Sequence, residues 1–212
     1  MSIITPEIEY VDRSMESIRY LEHGWPSDLC RWHSHREFEL HLIVATRGKA
    51  FVGDYIGEFR PGSLFLTGPY LPHNWVTDEI TSCHVSTRDM LVQFDQESVN
   101  SLSLAFPEFD DMRQMFELAR SGIEFHGFDA KLVQRSLAEI RDSSGPARIL
   151  AFLQLLVEIN QHAEMRQLSV VAVTQPEDSN KHTRIANVVD HITQHFAEDI
   201  SLETAAELAC MS

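Results

Sequence analysis

The sequence predicts a mainly β domain followed by helices, and three observations carry that reading. Between residues 37 and 95, short apolar runs are broken by turn residues; beyond Phe106-Pro107 the apolar period becomes helical; and residues 148–162 are apolar on almost every side. The strand runs cover residues 38–45, 49–53, 63–67, 82–86 and 90–94. Short strands at this spacing predict an all-β sandwich or barrel. Glycine and proline punctuate them at Gly48, Gly53, Gly57, Pro61-Gly62, Gly68-Pro69 and Pro72, where turns need unusual backbone angles or a fixed φ.

In the helical half, Met112, Met115, Phe116 and Ala119 recur at helical spacing, as do Leu132, Leu137 and Ile140. The segment 148–162 carries Ile149, Leu150, Phe152, Leu153, Leu156, Val157 and Ile159, with only Gln154, Glu158 and Gln161 as a polar stripe. Such a helix must be buried, against the barrel or against a second copy of the chain. Residues 174–181 are polar and aperiodic and read as a linker. Ile185, Val188, Val189, Ile192 and Phe196 then mark one face of a helix over 182–197. Ser201 is the expected N-cap of a further helix, with Glu203 in its first turn and the small residues Ala205, Ala206 and Ala209 permitting a close crossing. Two helices in tight contact open a helix-turn-helix, whose third element would enter the major groove. The expected organisation is therefore a β-barrel over 1–105, a helical region over 106–172, a linker over 173–181 and a partial helix-turn-helix over 182–212.

With 43% hydrophobic and 23% charged residues, the composition is that of an ordinary globular protein. The 17 Lys and Arg against 32 Asp and Glu leave a net charge of −15, which repels phosphate backbones. Beyond residue 174 only Lys181 and Arg184 oppose seven acidic residues, so phosphate-binding groups are not expected in this stretch. Cys30, Cys83 and Cys210 are too few and too scattered for a disulfide framework, which fits a reducing cytoplasm. The N-terminus lacks a basic start followed by an apolar run, and no segment approaches the roughly 20 apolar residues that span a bilayer, so neither secretion nor membrane insertion is expected.

Chemistry concentrates in residues 32–41. If this stretch is one strand, His33, His35, Glu37, Glu39 and His41 share a face, while Phe38, Leu40 and Leu42 take the other. Two histidines at i and i+2 with a carboxylate four residues on supply three ligands to one divalent metal ion, and His73 is the candidate fourth. Zinc, nickel, iron and manganese all suit such a set. The bland alternative is a hydrogen-bonding pocket for an organic effector with no metal. Trp75 reads either as core or as an apolar wall on which a sugar ring or aromatic ligand stacks. His41 is expected to support the ligands from behind, and Glu37 to lie exposed near the mouth of the barrel.

At these residues the sequence resembles the cupin superfamily, whose first motif H-x-H-x3-E matches His33, His35 and Glu39. Its second motif, Pro-Gly, a short strand and then a histidine, matches Pro61-Gly62, residues 63–67 and His73. More closely, the run from His33 through Val52-Gly53-Asp54 to Pro72-His73-Asn74-Trp75 resembles the sensor domain of AraC-type transcription regulators. Residues 184–212 resemble the start of that family's DNA-binding domain. Departures are Thr46 at a usual glycine turn, Ser63 at a common aspartate, and Cys210 at a usual glycine of the helix-turn-helix bend.

The resemblance implies a cupin-like double-stranded β-helix, or jelly roll, followed by dimerisation helices and an incomplete helix-turn-helix running from Ser201 to Ser212. It implies a ligand-responsive regulator and not an enzyme. The chain would sense a small-molecule effector, a sugar or another small metabolite, as a homodimer. It would reach promoter DNA through parts beyond the present chain. The alternative is a metal-dependent cupin enzyme, an isomerase or dioxygenase, holding its ion with His33, His35, Glu39 and His73. A helix-turn-helix opening after a linker counts against that alternative.

Overall fold

Strands come first, as the turn pattern requires. The computed structural model describes residues 7–8, 16–27, 31–78 and 84–170, together with positions 201, 204 and 206. Its strands are β1 (Glu7–Ile8), β2 (Ile18–Trp25), β3 (His33–Ser34), β4 (Phe38–Ile43), β5 (Gly48–Val52), β6 (Tyr55–Phe59), β7 (Leu64–Thr67), β8 (His73–Thr77) and β9 (Val85–Phe94). Then follow α1 (Gln96–Ala105), a 3₁₀ turn (Pro107–Met112), α2 (Arg113–Ala119), β10 (Ile123–His126), α3 (Ala130–Asp142), α4 (Gly145–His162) and β11 (Glu164–Gln167).

Two sheets result, a five-stranded one in the order β1-β3-β8-β5-β6 and a six-stranded one in the order β11-β10-β7-β4-β9-β2. Pairing is antiparallel except between β1 and β3. Alternation along the strands gives each face of the six-stranded sheet its own cover. Phe38, Leu40, Leu42, Met90, Val92 and Phe94 join Met115, Phe116, Leu137, Ile140, Phe152 and Leu156 in one core, so helices α2, α3 and α4 cap this face. Ile43 and Phe65, on the other face, meet Ala50, Val52, Phe59 and Trp75 of the five-stranded sheet in a second, smaller core. Side-chain carboxylates cap two of the helices: Asp95 accepts from the Ser98 amide at 2.6 Å, and Asp129 from the Lys131 amide at 2.9 Å.

Several expectations are corrected by this architecture. The runs 82–86 and 90–94 belong to a single strand as far as they are described, because β9 continues unbroken through the charged pair Arg88-Asp89. Both side chains are only 1% exposed, since their partners lie inside the fold. The region 106–172 is not purely helical: β10 and β11 extend the six-stranded sheet beyond β7. Strands β2, β6 and β8 and helix α1 add to the runs expected. Thr46 does adopt the left-handed conformation, at φ 76°, where the family pattern places glycine. The expected linker and the 182–197 helix lie outside the described residues. At Ser201, Oγ accepts from the Thr204 amide at 3.0 Å, the geometry of an N-cap.

Candidate metal centre and ligand pocket

Strand register brings the motif residues together. His33 on β3 pairs directly with His73 on β8, and Glu39 reaches them from β4 in the opposing sheet. One ligand atom from each of His33, His35, Glu39 and His73 can be chosen so that all four lie within 4.8 Å of one another. His35, Glu39 and His73 are buried and His33 is partly so.

The hydrogen bonds of the rings suit an ion. Nδ1 of His33 lies 2.8 Å from the Arg31 carbonyl, Nδ1 of His73 lies 2.8 Å from the Leu71 carbonyl, and Nδ1 of His35 lies 3.1 Å from the Glu37 carbonyl. A carbonyl only accepts, so each Nδ1 carries the proton and each neutral ring keeps its lone pair on Nε2. That is how metal-ligating histidines are held from behind. Nε2 of His73 is buried without a hydrogen-bond partner, 3.6 Å from Glu39 Oε1. Nε2 of His35 lies 3.1 Å from Glu39 Oε2, an approach of lone pair to lone pair that needs a proton or a cation between them. Burial, and then the neighbouring His73, push the His33 pKa down to about 3 and so keep that ring in its neutral, ligating form. Burial alone would raise the Glu39 pKa, but the surrounding imidazoles of His35, His41 and His73 outweigh it and hold Glu39 well below the usual carboxylate range. Three imidazoles and a carboxylate fit a first-row divalent ion better than the all-oxygen sites of calcium or magnesium.

Beside this cluster lies a cavity of about 220 Å³. Its floor follows from register across β4, β9 and β2, which sets side chains of one parity in three rows: Glu39–Gln93–Arg19, His41–Leu91–Leu21 and Ile43–Asp89–His23. Trp75, from the facing sheet, closes one side, 4% exposed and stacked on Phe65 at 4.6 Å. Nδ1 of His41 lies 2.8 Å from both Trp75 Nε1 and Glu39 Oε1. One ring nitrogen cannot accept from the indole and donate to the carboxylate at once, so the two contacts belong to different tautomers or protonation states of His41. Burial disfavours the imidazolium, but Asp89 and Glu39 more than offset it and raise the His41 pKa above its ordinary value. Asp89 in turn would be raised by burial. His41, His23 at 2.9 Å and Arg88 at 3.5 Å reverse that and lower it.

Of the expected site residues, His33, Glu39, His41 and Trp75 line the cavity, while His35 and His73 complete the cluster at its edge. Glu37 is a correction: it is fully buried and not on the cavity wall. The strand is interrupted between β3 and β4, so parity does not carry across Arg36. The Glu37 carboxylate lies 3.6 Å from His35 Nδ1 and 3.8 Å from Arg36 Nε. Arg19, His23, Arg88, Asp89 and Gln93 were not anticipated. The signal available for two of them was polar residues at alternate positions, Asp89 and Gln93, flanking Leu91 in an otherwise apolar strand.

No protein-family model matches the sequence, and no curated protein matches it. Among solved structures, the chain is similar to ToxT from Vibrio cholerae O395 bound to (E)-4-(8-methylnaphthalen-1-yl)but-3-enoic acid, at 8% identity and a TM-score of 0.43, covering 93% of this chain and 73% of that one. It is similar to a second structure of ToxT from Vibrio cholerae, at 8% identity and a TM-score of 0.41, with 93% and 78% covered. It is also similar to CuxR, an AraC-like transcriptional activator, at 12% identity and a TM-score of 0.34, with 84% and 58% covered.

Proposed function

We propose that the chain is the sensory part of an AraC-type transcription regulator, in which a small molecule enters the pocket beside the His33, His35, Glu39 and His73 cluster. The observation that carries the reading is the pocket itself: a partly open cavity whose wall combines convergent polar groups with the flat face of Trp75. In this reading the two sheets are the cupin-like barrel, and the cluster holds one divalent ion. When bound, the ion would offer a Lewis-acidic contact to an oxygen of the effector. The Ser201 cap, at the point where the sequence resembles a helix-turn-helix, favours a regulator over a cupin isomerase or dioxygenase. Ile149, Leu150 and Val157 of α4 remain exposed and apolar, which supports pairing of two copies through this helix. Effector binding would then shift the balance between two arrangements of the dimer, and with it the spacing of DNA-binding domains on promoter half-sites.

The test is a chromosomal Trp75→Ala replacement followed by transcript profiling in the source organism. A defined set of transcripts is expected to lose its normal response while the protein level stays constant. An unchanged profile contradicts the reading, and turnover of an isomerase or dioxygenase substrate by the metal-loaded chain would favour the enzyme instead.

A further inference from the structure

Strand β7 reads Leu64, Phe65, Leu66, Thr67, and all four residues are buried. The last differs in kind. Thr67 is 1% exposed, and its hydroxyl has no hydrogen-bond partner among the described residues. A buried hydroxyl without a partner is destabilising, and valine has the same shape without the hydroxyl and suits a buried strand.

Register shows what the hydroxyl is near. Thr67 pairs directly with Glu39 across β7 and β4, so the two side chains leave the same face of the sheet, with Cβ atoms roughly 4.5–5.5 Å apart as in other such pairs. Phe65, two residues earlier, packs in the core between the sheets, which fixes this face as the one that carries the His/Glu cluster. Glu39 therefore stands between Thr67 on β7 and Gln93 on β9. An ionised carboxylate offers about four lone-pair sites. In the structure four groups approach them: His41 Nδ1 at 2.8 Å and His73 Nε2 at 3.6 Å on Oε1, and His35 Nε2 and Gln93 Nε2, both at 3.1 Å, on Oε2. The carboxylate is fully engaged, and Thr67 is left over. With an ion in the cluster the count changes. The lone pairs of His35 and His73 turn to the metal, one carboxylate site goes to it as well, His41 and Gln93 keep two, and one comes free.

We propose that Thr67 is a positioning residue of the metal centre, whose hydroxyl donates to Glu39 in the ion-loaded state and so holds the carboxylate towards the ion. The hydroxyl is aimed by a single torsion with three staggered settings. Ligating carboxylates are themselves hydrogen-bonded, and loss of such a partner costs about 10- to 100-fold in metal affinity. The arrangement accounts for a polar group kept at a buried position where it weakens the fold: its partner becomes available only when the ion binds. This assignment rests on the cluster holding a metal ion.

The test compares the purified full chain as wild type, Thr67→Val and Thr67→Ser. Each is measured for zinc affinity against a competing chelator, for the absorption bands of bound cobalt, and for melting temperature after the metal is stripped. Thr67→Val is expected to bind zinc about tenfold more weakly and to shift the cobalt bands. When stripped, it is expected to melt about 2–4 °C higher than wild type, because an unpaired buried hydroxyl is gone. Thr67→Ser keeps the hydroxyl and is expected to restore both affinity and spectrum. A more stable fold with a weaker site is a combination that a group serving only the fold would not give. Equal zinc affinity in Thr67→Val and wild type overturns the assignment. So does equal weakening in both variants, which would point to the shape of the side chain, or a lower melting temperature for stripped Thr67→Val, which would show the hydroxyl already bonded. If wild type itself takes up neither zinc nor cobalt, the metal reading fails and the assignment falls with it.

Discussion

The two faces of β4 are built from adjacent residues and bury opposite chemistry. Phe38, Leu40 and Leu42 turn towards the helices and enter a core made of carbon and sulfur. Glu39 and His41 turn towards the second sheet and are almost as buried, at 2% and 3% exposure, yet every contact named for them is polar or aromatic. The helix face needs only volume and shape. The inter-sheet face needs partners for each charge, because a buried carboxylate or imidazolium without one is costly. The fold therefore rests on one side of the sheet, and its polar residues are free to serve a ligand on the other.

Substitutions on the two faces should fail in different ways. Leu40→Ala, on the helix face, is expected to cost about 2–5 kcal/mol in urea denaturation, through lost burial and a residual cavity, while the variant that still folds keeps its metal affinity. A cost well under 1 kcal/mol would mean that this face is not closely packed. His41→Ala, one residue along, is expected to weaken metal binding by about 10- to 100-fold, as loss of a group that orients a ligating carboxylate does. Titration with a competing chelator measures this, and unchanged affinity would remove His41 from behind Glu39.

A third contrast is pH. Asp89 is held below its ordinary pKa in the fold, so the unfolded chain takes up the proton first. Its stabilising effect is fully present above about pH 4 and is lost as pH falls further. The melting temperature of Asp89→Asn should accordingly start lower at neutral pH and fall less steeply than that of wild type between about pH 5 and pH 3. Parallel curves would show that His23, His41 and Arg88 do not depend on this charge. The smallest effect is expected outside both cores. Lys49 and Glu58 pair at 2.9 Å across β5 and β6 in full solvent, and Lys49→Ala should leave the melting curve unchanged, as exposed pairs usually do.

The same contrast explains what could be read from the residues alone. The alternation in Phe38, Leu40 and Leu42 against Glu39 and His41 predicted a strand with one polar face, and β4 is that strand. The motif spacing brought His33, His35, Glu39 and His73 to one place because strand pairing, here His33 with His73, is a local rule with long-range reach. Arg19 and His23 were invisible for the converse reason. They lie on β2, whose neighbour β9 is more than sixty residues away in sequence, and nothing in the run 18–25 marks it as the third row of a pocket floor. Glu37 was misplaced because parity was carried through a break between β3 and β4 that no glycine or proline announces. Strands β10 and β11 were missed because each is four residues long and lies beside helices, where the helical period dominates any window long enough to show a pattern.

The central claim is that the four-residue cluster holds a metal ion beside a ligand pocket. The most direct measurement is the metal content of the purified chain and of a His33→Ala, His73→Ala double variant, by elemental analysis after incubation with zinc, nickel, iron or manganese and removal of free ion. Near-stoichiometric metal in wild type and its loss in a variant that still unfolds cooperatively is the predicted result. No metal in wild type with any of the four ions, or equal metal in both proteins, would contradict it.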